Sequence, residues 1–438
     1  MKTYRHWVGA AACVLVLALC ASTQSSGVVP GLEKALANIS IRHMDRTVLG
    51  EDVVDYRFDV VVGPGKFDVI RLHRIVREKH PYQPIHTVGA VLLLPGAPNT
   101  FEMIFMEPLI SELPAWDQSV TAFLAKNNVD VWGMDYAWAL VPGSTTNFKF
   151  MKNWGIKKDA QHTEAALSLA RWIRGLTGQG FGRINLLGFS WGTTVAYTLA
   201  GDETQLPHSL RNVKGLIPVD NDMGLDRSDP VAEALRLVAC DAAAASKAQL
   251  DAGTYSWDAG VFLIQVGDLA RSKPDDPSPF ADGLTNYQFA LFVGAGSGPP
   301  IYDHFVGGYF DNSGIPIGLR YTDPLLWIDA LRAVPPFVPL RALYELQAVS
   351  CGDIQSPLVE HLGDIALPIL YVGSAGSEGT YGYYTLTLTA STDITKFTVQ
   401  LLPDDQRALD FGHADLFMAK DAPTLVWKPI LDWLVAHK

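Results

Sequence analysis

Gly188-Phe189-Ser190-Trp191-Gly192 sets a serine hydroxyl between two glycines, directly behind the apolar run Ile184-Asn185-Leu186-Leu187. A serine is a weak nucleophile until an imidazole takes its proton and a carboxylate fixes that imidazole. His413 stands in Asp410-Phe411-Gly412-His413, and the carboxylates open to it are Asp220, Asp222 and Glu378. Together these residue types support attack on an acyl carbonyl, with His413 acting first as base and then as acid. Negative charge would build on the carbonyl oxygen, and the Trp191 amide, at the start of the segment after the serine, is placed to receive it.

Such a serine needs a strained strand-to-helix turn that lifts its hydroxyl over the end of a sheet. Arg183–Leu187 reads as the strand, and Val195, Ala196, Tyr197, Leu199 and Ala200 fit the helix. Val53–Val62 and Asp68–Arg77, joined by Gly63-Pro64-Gly65, read as an antiparallel pair. Val88–Leu94, Val129–Met134 and Val213–Val219 are apolar runs suited to buried parallel strands. Trp116–Lys126 and Asp159–Leu176 have helical spacing between them, with His162 on the polar side of the second, facing solvent. Gly27–Met44 reads as a connector.

Strands alternating with helices predict an α/β fold with a doubly wound, mostly parallel sheet. From Met223 to Cys351 the rhythm breaks. Helical segments at Pro230–Cys240 and Pro324–Ala333 alternate with Pro/Gly-rich and aromatic stretches. This reads as a mainly helical, irregular cap (223–351) inserted into a core of 27–222 and 352–438. Tyr302, Phe305, Tyr309 and Phe310 are candidate walls for an apolar substrate. The sheet resumes at Pro368–Val372 and Lys396–Leu402, and Trp427–Val435 closes the chain as a helix.

The 438 residues carry a formal net charge of −12 with no basic block to offset it, which argues against nucleic acid as a partner. Lys2, Arg5 and His6 precede the apolar run Val8–Cys20 and a small-residue exit, the pattern of a cleaved secretory signal over residues 1–21. The run is too short for a membrane anchor in the mature chain. Bulky Leu19 disfavours lipid attachment at Cys20, so a secreted or periplasmic location is expected. Cys13 and Cys20 leave with the signal. Cys240 and Cys351 remain, either as a disulfide or as two buried thiols. No metal motif and no phosphate loop occurs, and Gly294-Ala295-Gly296-Ser297-Gly298 opens no helix, so neither metal nor cofactor is expected.

The order Ser, acid, His resembles that of the α/β-hydrolases. Gly412-His413-Ala414-Asp415-Leu416-Phe417, followed by Asp421-Ala422-Pro423, is similar to the histidine loop of gastric and lysosomal acid lipases. The resemblance covers the core and implies a serine hydrolase of esterase or lipase type, acting on a small-molecule or lipid-like acyl substrate; an amidase, peptidase or acyltransferase on the same triad, or a non-catalytic binding protein of the same fold, are the alternatives. It also puts Pro95-Gly96-Ala97-Pro98-Asn99 where many relatives carry an oxyanion-hole amide. Ala97 would supply it, since Pro98 has no N–H. Most relatives place the acid shortly after the seventh strand, where this chain has Gly373-Ser374-Ala375-Gly376-Ser377 and only then Glu378. Others place it after the sixth, where Asp220 stands. Asp220 is the expected acid, Glu378 the alternative, and Asp222 the third choice.

Overall fold

The computed structural model describes residues 36–37, 39–296 and 303–438. The expected signal segment, with Cys13 and Cys20, and the candidate wall residue Tyr302 lie outside the described residues.

The sheet is built on β1 (Ser40–Gly50), β2 (Val53–Val61), β3 (Val69–His80), β4 (Gly89–Leu94), β5 (Val129–Asp135), β6 (Ile184–Phe189), β7 (Val213–Val219), β8 (Ile369–Ser374) and β9 (Ile394–Val399). Their spatial order is β1-β2-β3-β5-β4-β6-β7-β8-β9. The first three are antiparallel and join β5 antiparallel; from β5 to β9 every pairing is parallel. The stretch expected to be a connector up to Met44 is therefore partly strand. Its alternation was hidden because β1 is an edge strand rich in charge, with Asp45 paired to Arg57 of β2 at 2.9 Å.

Alternation along β4 shows why the sheet is covered on both faces. Val91 and Leu93 enter one hydrophobic core, Leu92 and Leu94 the other. The covering helices include α1 (Phe101–Phe105), α2 (Val120–Lys126), α3 (Ile156–Leu176) and α4 (Trp191–Thr204). His162 on α3 is buried, not solvated. The turn at Asp68 folds over that side of the helix, with Asp68 paired to Lys158 at 2.9 Å. Burial, with Lys158 adding to it, pulls the imidazole down to about 4.

After β7 the chain leaves the sheet and returns only at β8. In between run α5 (Pro230–Asp251), α6 (Ala259–Ser272), α7 (Asn286–Ala295), α8 (Pro324–Ala333) and α9 (Leu340–Cys351). Cys240 of α5 is disulfide-bonded to Cys351 at the end of α9, 111 residues on. The final helix, α10 (Lys428–Ala436), packs beside β4. No helix among the described residues is long and apolar enough to cross a membrane.

Candidate active site

Register brings the candidate residues to one end of the sheet. Phe189 pairs with Val219, and Val219 with Val372. Ser190 and Asp220 thus follow adjacent strands directly, and Ser374 ends the next, all at the carboxyl edge where open α/β sheets bind ligands. Ser190 has φ 55° and ψ −124°. Asp220 also has positive φ, 51°. Such conformations cost a non-glycine residue about 1–3 kcal/mol and persist only where surroundings enforce them. At Ser190 the flanking glycines make the turn sterically allowed. A Cβ on Gly188 would run into the Gly192 carbonyl, and one on Gly192 into the Leu94 carbonyl.

The His413 ring lies 4.4 Å from the ring of Phe189, the residue before the serine. Its Nδ1 meets Asp220 Oδ2 at 2.7 Å. The other lone pairs of Asp220 accept from Ser374 N–H (2.8 Å), the Ser374 hydroxyl (2.6 Å) and Gly379 N–H (3.2 Å). Asp220 is fully buried, and four donors compensate its desolvation.

The other two carboxylates are elsewhere. Asp222 accepts from Gly224 N–H (2.7 Å) and from the Ser350 hydroxyl of α9 (3.3 Å), and burial pushes it up to about 6. Among the described residues Glu378 makes no bond to His413, and its Oε2 is buried without a partner. Burial, with Asp222, Asp303 and Asp220 nearby, holds Glu378 well above the usual carboxylate range.

Two groups whose part in positioning the site was not read from the sequence hold this geometry. Residues 303–307, belonging to the inserted segment, are pinned along the histidine loop. His413 N–H donates to the His304 carbonyl (3.0 Å), Ala414 N–H to the Phe305 carbonyl (2.7 Å), and His304 N–H to the Gly376 carbonyl (3.2 Å). Buried Asp415 joins both sides, accepting from Gly307 N–H (2.8 Å), Gly412 N–H (2.8 Å) and the Thr322 hydroxyl (2.6 Å). The only sequence sign of it was its place two residues after His413. Asp159 at the start of α3 is the second. Its Oδ2 accepts from the indoles of Trp138 (3.3 Å) and Trp191 (3.1 Å). Burial pushes Asp159 up to about 7 against the pull of those two donors.

A narrow cleft of about 30 Å³ opens beside His413. Core residues Met103 and Ile104 face Leu263, Val293, Trp327 and Leu331 of the inserted helices across it. Phe305 also lines the cleft. Tyr309 instead lies at the surface under Arg320, 4.4 Å away, and Phe310 packs against the core, so neither is one of its walls. Among the described residues no group of three or more His, Cys, Asp or Glu could hold a metal.

Among solved structures the chain is similar to a "putative lipase" of Sulfolobus solfataricus, with a TM-score of 0.61 and 18% identity over 91% of this chain and 100% of that one. The fold is that of the α/β-hydrolases. A soluble variant of the Saccharomyces cerevisiae monoglyceride lipase superposes less well, at a TM-score of 0.43 and 10% identity over 95% of this chain and 99% of that one. The epoxide hydrolase CorEH gives 0.45 and 14% over 84% and 96%. Superpositions this loose add nothing to the assignment. No protein-family model and no curated protein matches the sequence. Ser190 stands at the sharp turn between β6 and α4, and His413 in the loop after β9.

Proposed function

We propose that the chain is a secreted serine hydrolase that cleaves carboxylic esters through an acyl-enzyme on Ser190, with a core of 27–222 and 352–438 and a cap of 223–351. The observation that carries the reading is the 2.7 Å bond from His413 Nδ1 to Asp220, made beside the turn at Ser190. With Nδ1–H committed to Asp220, Nε2 is the ring nitrogen left to act as base.

Ser190 Oγ attacks the ester carbonyl as His413 takes its proton. The Trp191 and Ala97 amides receive the oxyanion, each worth about 3 kcal/mol in comparable sites. His413 then protonates the departing alcohol, and water, activated by the same imidazole, releases the acid. The apolar cleft beside His413 supports an uncharged, apolar substrate. The Cys240–Cys351 disulfide supports an oxidising compartment.

Fluorophosphonate labelling of the purified protein, with the modified peptide mapped by mass spectrometry, tests the reading. The expected result is a single adduct on Ser190, absent in His413→Ala, together with turnover of esters in preference to matched amides. No adduct where a control esterase labels would overturn it in favour of a binding protein. Amide turnover exceeding ester turnover would make it an amidase or peptidase.

A further inference from the structure

We propose that the side-chain amide of Asn99 is a third oxyanion donor, a catalytic residue beyond the two backbone amides. The proposal rests on the reading of Ser190 as nucleophile and extends it.

Its first support is position. A Cβ built on Gly96 would lie 2.7 Å from Ser190 Cβ, 3.2 Å from Ser190 Oγ and 3.2 Å from Asn99 Nδ2. Gly96 is thus packed tightly against the serine, and the Ser190 hydroxyl and the Asn99 amide converge on the point where its side chain would stand. A donor about 3 Å from the developing oxyanion, itself bound to the carbon that Oγ attacks, has to be a near neighbour of Oγ, as Asn99 is across Gly96.

Its second support is the lack of any other use for the group. Among the described residues the Asn99 side chain makes no hydrogen bond, although loop asparagines commonly bond their own turn. It lines the cleft with His413, and the remaining side chains there are apolar. Asn99 is half-buried, so its carboxamide stands at the edge of the apolar cleft, open to a carbonyl that enters there.

Its third support is rigidity. Asn99 N–H donates to the Gly96 carbonyl at 3.1 Å, closing the turn. Thr100 caps α1 by accepting from Met103 N–H at 3.1 Å, and Phe101 N–H donates to Asp135 at the end of β5 at 2.7 Å. The backbone that carries the Asn99 side chain is held from both sides, which fixes where the amide can reach.

In the reaction, the bond from Ser190 Oγ to the carbonyl carbon forms while the C=O π pair moves onto oxygen. Asn99 Nδ2–H then donates to that oxyanion beside the amides of Trp191 and Ala97. When the pair returns, the bond to the alkoxide breaks and His413 delivers the proton to the leaving alcohol.

The test is steady-state hydrolysis of p-nitrophenyl butyrate by the full chain and its Asn99→Ala and Asn99→Leu variants. Leucine keeps the volume of asparagine without the donor and serves if alanine fails to fold. Loss of a donor used only in the transition state is expected to lower kcat about 10²–10³-fold with KM within about threefold. Affinity for butylboronic acid, which mimics the tetrahedral adduct, should fall with kcat. A folded variant whose kcat stays within threefold of the parent overturns the proposal, as does a rise in KM alone. These results leave the Ser190 reading standing. A parent protein that neither labels with fluorophosphonate nor hydrolyses the ester overturns both.

Discussion

Replacing Asp220 by asparagine isolates the carboxylate that completes the site. Oδ1 accepts from two backbone amides, Ser374 N–H and Gly379 N–H, which have no freedom to turn away. The carboxamide oxygen must take that seat, because an NH₂ there would oppose two donors. The NH₂ is then left where Oδ2 was, facing His413 Nδ1 2.7 Å away and the Ser374 hydroxyl, which can rotate to accept. Opposite a donor, Nδ1 becomes the acceptor and the ring proton moves to Nε2, which can no longer act as base toward Ser190. The same wrong-tautomer effect in other triads costs about 10⁴ in kcat, or about 5 kcal/mol of transition-state stabilisation. Steady-state hydrolysis of a p-nitrophenyl ester by Asp220→Asn should show that loss in kcat with KM little changed, and thermal unfolding should stay cooperative. Glu378→Gln should retain kcat within about threefold. Burial and its acidic neighbours hold that carboxyl well above the usual carboxylate range, favouring its neutral form, and glutamine reproduces its shape. A strong loss in Glu378→Gln with Asp220→Asn within tenfold of the parent would refute the assignment.

Asp159→Asn addresses the carboxyl held between two indoles. Burial raises it to about 7 in the folded chain against about 4 unfolded, so its stabilising contribution is full below about pH 4 and is lost as pH rises through 7. Asparagine still offers an oxygen to both indoles and carries no charge, so urea unfolding should show the variant gaining on the parent between pH 4 and 7, by on the order of 4 kcal/mol in total. A difference independent of pH would show that Asp159 does not titrate as the geometry implies. Reducing the Cys240–Cys351 bond opens a closure of 111 residues, for which chain entropy gives about 4–5 kcal/mol. The thermal midpoint should drop with reductant and proteolysis should concentrate between α5 and α9; an unchanged melt would count against a stabilising bridge.

The candidate nucleophile was legible because its signal is local. The glycines flanking Ser190 answer a steric demand within five residues, and the apolar runs that became β4, β6 and β7 reveal burial on both faces without knowledge of their neighbours. Strand–helix alternation was enough for the doubly wound sheet. Where a local pattern met an edge or a covering loop, it misled. β1 carries charge because its outer side faces water. His162 follows polar spacing on α3, yet the turn at Asp68 covers it.

Which carboxylate faces His413 could not be read from order or spacing. Asp220, Asp222 and Glu378 are separated from His413 by long stretches of chain and become comparable only after β6, β7 and β8 pair in register. Asp220 then follows a strand end beside the serine, while Asp222, two residues on, is taken by a hydroxyl of α9. The roles of Asp415 and of residues 303–307 depend on the inserted segment lying against the histidine loop, a contact between residues about 110 positions apart. Sequence by itself determined the groups whose chemistry is set within one turn or one strand. Tertiary structure decided their partners, because a hydrogen bond at 2.7 Å depends on where two distant backbones come to rest.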